Sequence, residues 1–458
     1  MNPADPDLWH RLALGEALWL TGHFPPGDYF SYLADYKSIA DHEWGSAVIF
    51  FALYSWAGLN IFIEFKLATL LLTLMLVVWA GLYHRRPTMR TAAFYALILV
   101  ALLPNFQSTI RCMSFSHVFF ALWLYFFQRE RYGRIIPFYF YPLTMLIWAN
   151  LHGGFVLGLV WLLAVTAVEW LDGGYWKKWL VRFGLSLTVT LINPFGVQLW
   201  VSTVRALRVP RSGFSEWEPV SWWADPMSYA GYKLLLIGLI VALIMHVHRR
   251  GWVKVDRPAI LLIGTFMCLS FVSARHTSFF AVVVGALAPG LFVEESDSAK
   301  ERDPLKNLLS MALSMTILIV PLYSALLFFS ARSPQLEYPH VSCPQGAVTY
   351  LQEKNVRGNL LVPFNYGSYA LWNLRGQMRV SMDGRYDLVY SPKTYKRVDD
   401  FFFARGDWHD LLNSPAPDAI LVPIADPVYK KLKTEPGWDE VYRDDTDAVF
   451  LPLRVAVR

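Results

Sequence analysis

The chain has 458 residues, of which 55% are hydrophobic, 16% aromatic and only 17% charged, with a formal net charge of +5. This composition excludes an ordinary water-soluble domain and calls for a backbone whose polar groups are satisfied inside lipid. The positive charge is concentrated in short loops between apolar runs, so it reads as topology and contact with anionic lipid and not as a nucleic-acid-binding surface.

In chain order, residues 1–58 hold no span. Leu8, Leu12, Leu14, Ala17 and Leu18, with Trp9 and Trp19, predict an amphipathic helix lying on the membrane, followed by a polar loop rich in Asp, Tyr and Ser. Trp44 to Trp56 predicts a short apolar helix ended by Gly58, too short to cross comfortably. No leader precedes this segment, so an inside-to-outside span is expected before Met1, missing from this reading of the gene.

From Leu59 the chain becomes a series of apolar runs. Spans are expected near 59–83, 91–104, 114–128, 135–150, 153–171, 180–200, 230–247, 258–273, 277–293 and 308–330, most near the ~20 residues of a helical crossing. The runs are continuous and not alternating, which predicts helices and not barrel strands. Every second loop is basic: His84 to Arg90, Arg129 to Arg134, Lys177 to Arg182, Arg249 to Arg257 and Lys300 to Lys306. Cytoplasmic loops carry the excess of Lys and Arg, so these five loops are expected inside and both ends of the chain outside. Tryptophans near span ends, such as Trp148, Trp170, Trp200 and Trp222, fit an interfacial belt.

The tail changes character from about Ser333. Helices are predicted at Pro344–Lys354, Tyr366–Leu374 and Pro427–Lys433, strands at Gly358–Pro363, Gln377–Met382 and Ala419–Val422, and a strand pair over Trp438–Pro452. The alternation implies a small extracytoplasmic α/β domain at 332–458 with a partly parallel sheet. The expected organisation is thus an outer segment at 1–58, a polytopic helical bundle at 59–331 and this domain. The tail lacks a glycine-rich phosphate loop, so nucleotide binding there has no support. Three cysteines, two in or beside apolar runs, make neither a disulfide framework nor a metal cluster.

Ionisable residues gather in the outer segments. Asp5, Asp7 and His10 open the first predicted helix, and Asp41, His42 and Glu43 open the second. A carboxylate at a membrane surface near a helix N-terminus is placed to act as a base or to bind a donor, and it equally serves to cap the helix that follows. The outer ends of the spans add Arg111 and His117, Asn150 with His152-Gly153-Gly154, Asn193-Pro194-Phe195-Gly196, Glu216 and Glu218, and Arg275-His276. Converging arginines suit a phosphate, which guanidinium binds in bidentate fashion. Snorkelling of Arg275 and an interhelical hydrogen bond of His152 fit the same positions, and Gly153-Gly154 and Pro194 to Gly196 also read as tight turns.

Taken together, an acidic residue opening the first outer loop, an amphipathic helix, a second acidic and His-containing motif, and a long span with a basic inner end resemble the GT-C superfamily of polyprenyl-phosphate-dependent membrane glycosyltransferases. Asp7-Leu8-Trp9-His10, Asp28-Tyr29-Phe30-Ser31-Tyr32, His42-Glu43-Trp44, Trp148 to Gly154, Asn193 to Gly196 and Asp383-Gly384-Arg385 resemble a poorly characterised bacterial branch of it, related to protein O-mannosyltransferases and aminoarabinose transferases. The resemblance implies a multi-pass inner-membrane enzyme that moves a sugar from a polyprenyl-phosphate donor to a glycan, lipid or protein acceptor on the outer face. It implies Asp7, or Asp5, as the acid that activates or positions the acceptor, His42 and Glu43 as residues lining the site, and Arg275 and Arg111 as candidates for the donor phosphate. His10, Asp41, His152 and His276 join the expected substrate-binding set, and a divalent metal is compatible with it. For Asp383-Gly384-Arg385 the residues predict a turn held by an internal Asp–Arg pair. The alternative is a non-catalytic scaffold or lipid-sugar carrier; the near absence of charge inside the spans, with Glu64 and Lys66 near an outer end, favours chemistry at the surface over transport.

Overall fold

The computed structural model describes residues 6–24, 28–36, 39–85, 88–107, 111–208, 216–251, 256–291 and 343–453. Asp5, the expected span at 308–330 and the basic loop at 300–306 lie outside the described residues. Among the described residues, twelve α-helices precede the tail: α1 (Pro6–Thr21), α2 (Trp44–Ala57), α3 (Ile61–Gly81), α4 (Met89–Gln107), α5 (Met113–Arg131), α6 (Phe140–Ala149), α7 (Phe155–Leu171), α8 (Trp176–Val189), α9 (Gln198–Arg208), α10 (Ala230–Arg250), α11 (Arg257–Val272) and α12 (Thr277–Leu287). Their ends follow local chemistry. Gly58, at φ 71°, stops α2, and Asp256 starts α11 by accepting the Ala259 N–H just ahead of a proline in the first turn.

Three of these helices, Ile61–Gly81, Met89–Phe106 and Ala230–Arg249, are long and apolar enough to cross a membrane. Trp44–Ala57, Phe140–Ala149, Phe155–Leu171 and Arg257–Val272 are apolar but shorter. The expected span at 180–200 is not one helix. The chain leaves α8 at Val189, turns where Asn193 Oδ1 accepts the Phe195 N–H at 2.7 Å and Gly196 takes φ 55°, and restarts as the polar-faced α9. Proline after asparagine and a left-handed glycine cannot continue a helix, and this local chemistry overrides the apolar run. The expected span at 135–150 shortens to the ten residues of α6.

The helices run between two chemically distinct ends. At one end Lys178 and Arg182 meet Glu130, Arg131 meets Asp256 at 2.8 Å, and Tyr83 packs on Tyr132 at 5.6 Å. Four of the five basic loops read from the sequence therefore share this end. At the other, Asn150 Nδ2 donates to the Ile192 carbonyl at 3.1 Å and Trp44 Nε1 donates to Asn150 Oδ1 at 2.9 Å, so α2 docks on the α6–α7 and α8–α9 corners. The 19 residues of α5, at about 1.5 Å each, carry the chain roughly 28 Å between the ends.

The tail forms a five-stranded sheet of order β2-β1-β3-β5-β4, with β1 (Gly358–Leu361), β2 (Met378–Val380), β3 (Ala419–Pro423), β4 (Trp438–Arg443) and β5 (Asp447–Pro452). β1 pairs parallel with β2 and β3, and the β4–β5 hairpin closes the sheet antiparallel. The free edge of β2 is taken by the loop after α1: Ser31 bridges Val380, whose N–H donates to the Phe30 carbonyl at 2.9 Å. A covered edge removes an aggregation-prone row of unpaired backbone groups and ties the first segment to the last.

α1 departs from the expected surface helix. Leu8, His10, Arg11 and Leu12 are all buried, because α1 lies between α2 and the tail helix Phe364–Asn373 and its leucines share one core with Phe50, Leu360, Val380 and Leu421. Only its last turn, with Trp19 and Leu20, stays exposed.

Candidate functional site

The site is built where α1, α2, the α6–α7 corner and the tail meet, and its centre is Arg11. Leu8, Arg11, Leu12 and Gly15 fall on one helical face, so Arg11 points with the leucines into the protein. Its Nη1 pairs with Asp41 and its Nη2 lies 2.6 Å from Glu43 Oε2. Asp41 also accepts the Glu43 N–H at 2.8 Å, which bends the chain into α2. Burial pushes the Asp41 carboxyl up, but Arg11 and His42 more than offset it and hold it below the usual carboxylate range.

Glu43 continues the network through its other oxygen, 3.3 Å from His152 Nε2 and 3.8 Å from His42 Nε2. The tautomer of His152 follows from its neighbours. Its Nδ1 accepts the Gly154 N–H at 2.9 Å and faces the Ser116 hydroxyl at 2.6 Å, while Ser116 accepts the Trp148 indole N–H at 2.7 Å. Ser116 must then donate to Nδ1, and the His152 proton sits on Nε2, aimed at Glu43. Burial, reinforced by Arg275, keeps His152 neutral, well below the usual histidine range. The corner needs its glycines: a Cβ at Gly153 would lie 2.7 Å from the His42 ring, and one at Gly154 would lie 2.3 Å from Ser116 Oγ.

Asp7 stands one turn before Arg11 on α1, with its side chain about half exposed, and Oδ1 is 3.9 Å from His10 Nδ1. The Asp383-Gly384-Arg385 turn closes over it so tightly that a Cβ on Gly384 would fall 2.2 Å from Asp7 Oδ1. Ser368 accepts the Gly384 N–H at 2.9 Å and pairs with His10 Nδ1 at 3.2 Å. The predicted Asp383–Arg385 pair is present and larger than expected. Arg385 binds both Asp383 oxygens at 2.8 and 2.6 Å and reaches Asp28 at 2.8 Å, and Tyr390 donates to Asp383 at 2.9 Å. Burial works against the Asp383 charge, but Arg385 outweighs it and brings the carboxyl to about 2. The Asp28 and Asp383 motifs thus meet on one guanidinium, which seats the tail over Asp7.

His10 makes this seat acid-sensitive. Burial, followed by Arg11, lowers its pKa to about 3. The unfolded chain takes up a proton near pH 6.5 and the folded one only near 3, so this contribution is complete above about pH 6.5 and decays as pH falls. Asp383 adds a loss of the same sign between about pH 4 and 2. The melting temperature of the purified protein is expected to fall as pH drops from 7 to 4, with a shallower slope in His10→Gln. An equal slope in the two proteins would remove His10 from the account.

At the rim, Arg111 and Arg275 converge on Glu216: Arg111 Nη1 pairs with Oε2 and Arg275 Nη1 lies 3.9 Å from Oε1. Arg275 stacks on Trp217 at 4.2 Å. The following His276 has its pKa lowered to about 4 by burial and by Arg275.

The structure therefore brings Asp7, His10, Asp41, His42, Glu43 and His152 into one connected group, with Arg275 close enough to act on His152 electrostatically. His117 instead packs inside the bundle, its Nε2 2.7 Å from Ser278 Oγ and its ring stacked on Phe279. Sequence reasoning missed Arg11, Ser116 and Ser368. The one available signal was a guanidinium on the leucine face of α1. The donor set does not fit a divalent metal: Asp41 and Glu43 each give an oxygen to Arg11, and His152 presents a protonated nitrogen. Among the described residues no group of three or more His, Cys, Asp or Glu side chains is placed to hold one.

No protein-family model matches the chain, and no curated protein matches it. Among solved structures, its fold is similar to that of the oligosaccharyltransferase of Archaeoglobus fulgidus in the apo form, with a TM-score of 0.59 and 12% sequence identity. The match covers 92% of this chain and 66% of that one, so the chain spans less than two thirds of the length of its structural neighbour. At this identity the likeness is one of fold: a helical bundle, three of whose helices are long and apolar enough to cross a membrane, with a small C-terminal sheet domain.

Proposed function

We propose that this protein is an inverting membrane glycosyltransferase that passes a sugar from a polyprenyl-phosphate donor to an acceptor hydroxyl on the extracytoplasmic face. The observation that carries the reading is the convergence, at the end of the bundle opposite the basic loops, of a solvent-reachable carboxylate at Asp7, a charge-balanced group around Arg11 and a pair of rim arginines. With the basic loops inside, this end faces outward, and the tail lies there with it.

In the proposed reaction the acceptor O–H gives its proton to Asp7 as its oxygen attacks the anomeric carbon. The bond from that carbon to the phosphate oxygen breaks on the opposite face, and polyprenyl phosphate leaves with the electron pair. Arg111 and Arg275 stabilise the charge that develops on it. Glu43 is a poorer base than Asp7, because one of its oxygens is held by Arg11 and the other faces the His152 N–H. Its role is positional: with His152 and His42 it lines the site, and with Asp41 it fixes Arg11 and the start of α2. His10, held by Ser368, orients the wall behind Asp7.

Purified protein supplied with a panel of polyprenyl-phosphate sugars and a mixed glycan, lipid and peptide acceptor pool tests this. Transfer that depends on one donor class is the expected result. Binding of the donors with no transfer to any acceptor would replace the reading with that of a lipid-sugar carrier.

A further inference from the structure

Glu216 occupies a position that the proposed reaction does not use. Its backbone is pinned, since its carbonyl accepts the Arg275 N–H at 3.0 Å and the Ser273 hydroxyl at 2.9 Å, and the Ala274 N–H donates to the Glu218 carbonyl at 2.9 Å. Its side chain, by contrast, is 31% exposed and lies between Arg111, at 29%, and Arg275, at 20%. A carboxylate offering one oxygen to each of two guanidiniums imitates a phosphate bridging them, because both anions present oxygens to the same planar donors. The fixed backbone lets the side chain swing aside without disturbing the loop.

We propose that Glu216 is a resident stand-in for the donor phosphate, a latch that keeps Arg111 and Arg275 aligned and yields them when a polyprenyl phosphate arrives. The inference rests on the reading of the two arginines as donor-phosphate ligands. In the resting site the carboxylate holds the two guanidiniums together. On donor binding it withdraws toward solvent, and as the leaving phosphate departs it returns and competes the product off.

Two consequences separate this role from a structural one. Glu216→Gln removes the competing charge and keeps the side-chain size, so polyprenyl phosphate should bind about two- to fivefold more tightly, the range of one exposed ion pair. With product held longer, KM and kcat should fall together. A purely structural Glu216 predicts the reverse, weaker binding or none as the arginines lose alignment.

The experiment is titration of the purified full-length protein in detergent with polyprenyl phosphate and, in parallel, with phosphatidylglycerol, for wild type, Glu216→Gln and Arg111→Gln. Tighter polyprenyl phosphate binding by Glu216→Gln, weaker binding by Arg111→Gln and no change toward phosphatidylglycerol support the latch. Unchanged or weaker polyprenyl phosphate binding by Glu216→Gln overturns the latch while wild-type binding still stands for the transferase reading. Tightening confined to phosphatidylglycerol overturns it in favour of a headgroup contact. Absence of polyprenyl phosphate binding by wild type and Glu216→Gln alike overturns the donor reading and the latch with it.

Discussion

Asp7→Asn is expected to lower transfer turnover by roughly 10²–10⁴, the range for loss of a positioned general base, while the melting temperature stays where it was. The substitution keeps the shape against Gly384 and removes only the charge. If Asp7 served α1 only through its charge in the first turn, asparagine would cost at most about 1 kcal/mol and leave turnover unchanged. A folded Asp7→Asn protein with full activity would sink the base assignment and move attention to Glu43. Asp7→Asn thus separates catalysis from support of the helix, which the same residue offers at the same place.

The largest effect on stability is expected from Arg11→Met. The side chain keeps its length, but Asp41 and Glu43, 5% and 15% exposed, lose the cation that both embrace. Removing one partner of a buried charge group costs about 3–5 kcal/mol, because the uncompensated carboxylates remain. Thermal or denaturant unfolding of the purified protein reads this directly. Combining Arg11→Met with Asp41→Asn and Glu43→Gln should recover a large part of the loss, since no buried charge is then unpaired. A single variant as stable as wild type, or a triple variant worse than the single, would show that Arg11 does not balance these acids.

How much of this was legible in the sequence depended on how local the cause was. The basic loops that cluster at one end of the bundle needed only counting along the chain, and the tail strands and three of its helices announced themselves by periodicity, while the helix Pro392–Phe402 did not. The break at Asn193 to Gly196 was visible as a turn, yet the apolar residues around it outweighed the turn residues in the reading of 180–200. Arg11 was missed because its partners lie 30 or more residues away, and a lone arginine in a helix looks like a solvated one. The burial of α1 escaped for the same reason: its covering helix is Phe364–Asn373, and an amphipathic stripe says that something covers it without saying whether lipid or protein does. The Asp28 and Asp383 motifs are both legible, but nothing in either segment shows that they share Arg385.

The bridge between Ser31 and Val380, and the contact of His10 with Ser368 across 358 residues, also set a timetable. At about 5–20 residues per second, a ribosome needs on the order of half a minute to make the chain between these points. Throughout that interval the first loop has no sheet to join, Gly384 is not yet there to close over Asp7, and Arg385 has not reached Asp28. The group around Asp7 and Arg11 is therefore among the last parts of the protein to take shape. A nascent or prematurely ended chain lacks Ser368, Gly384 and Arg385, and with them the wall that closes over Asp7.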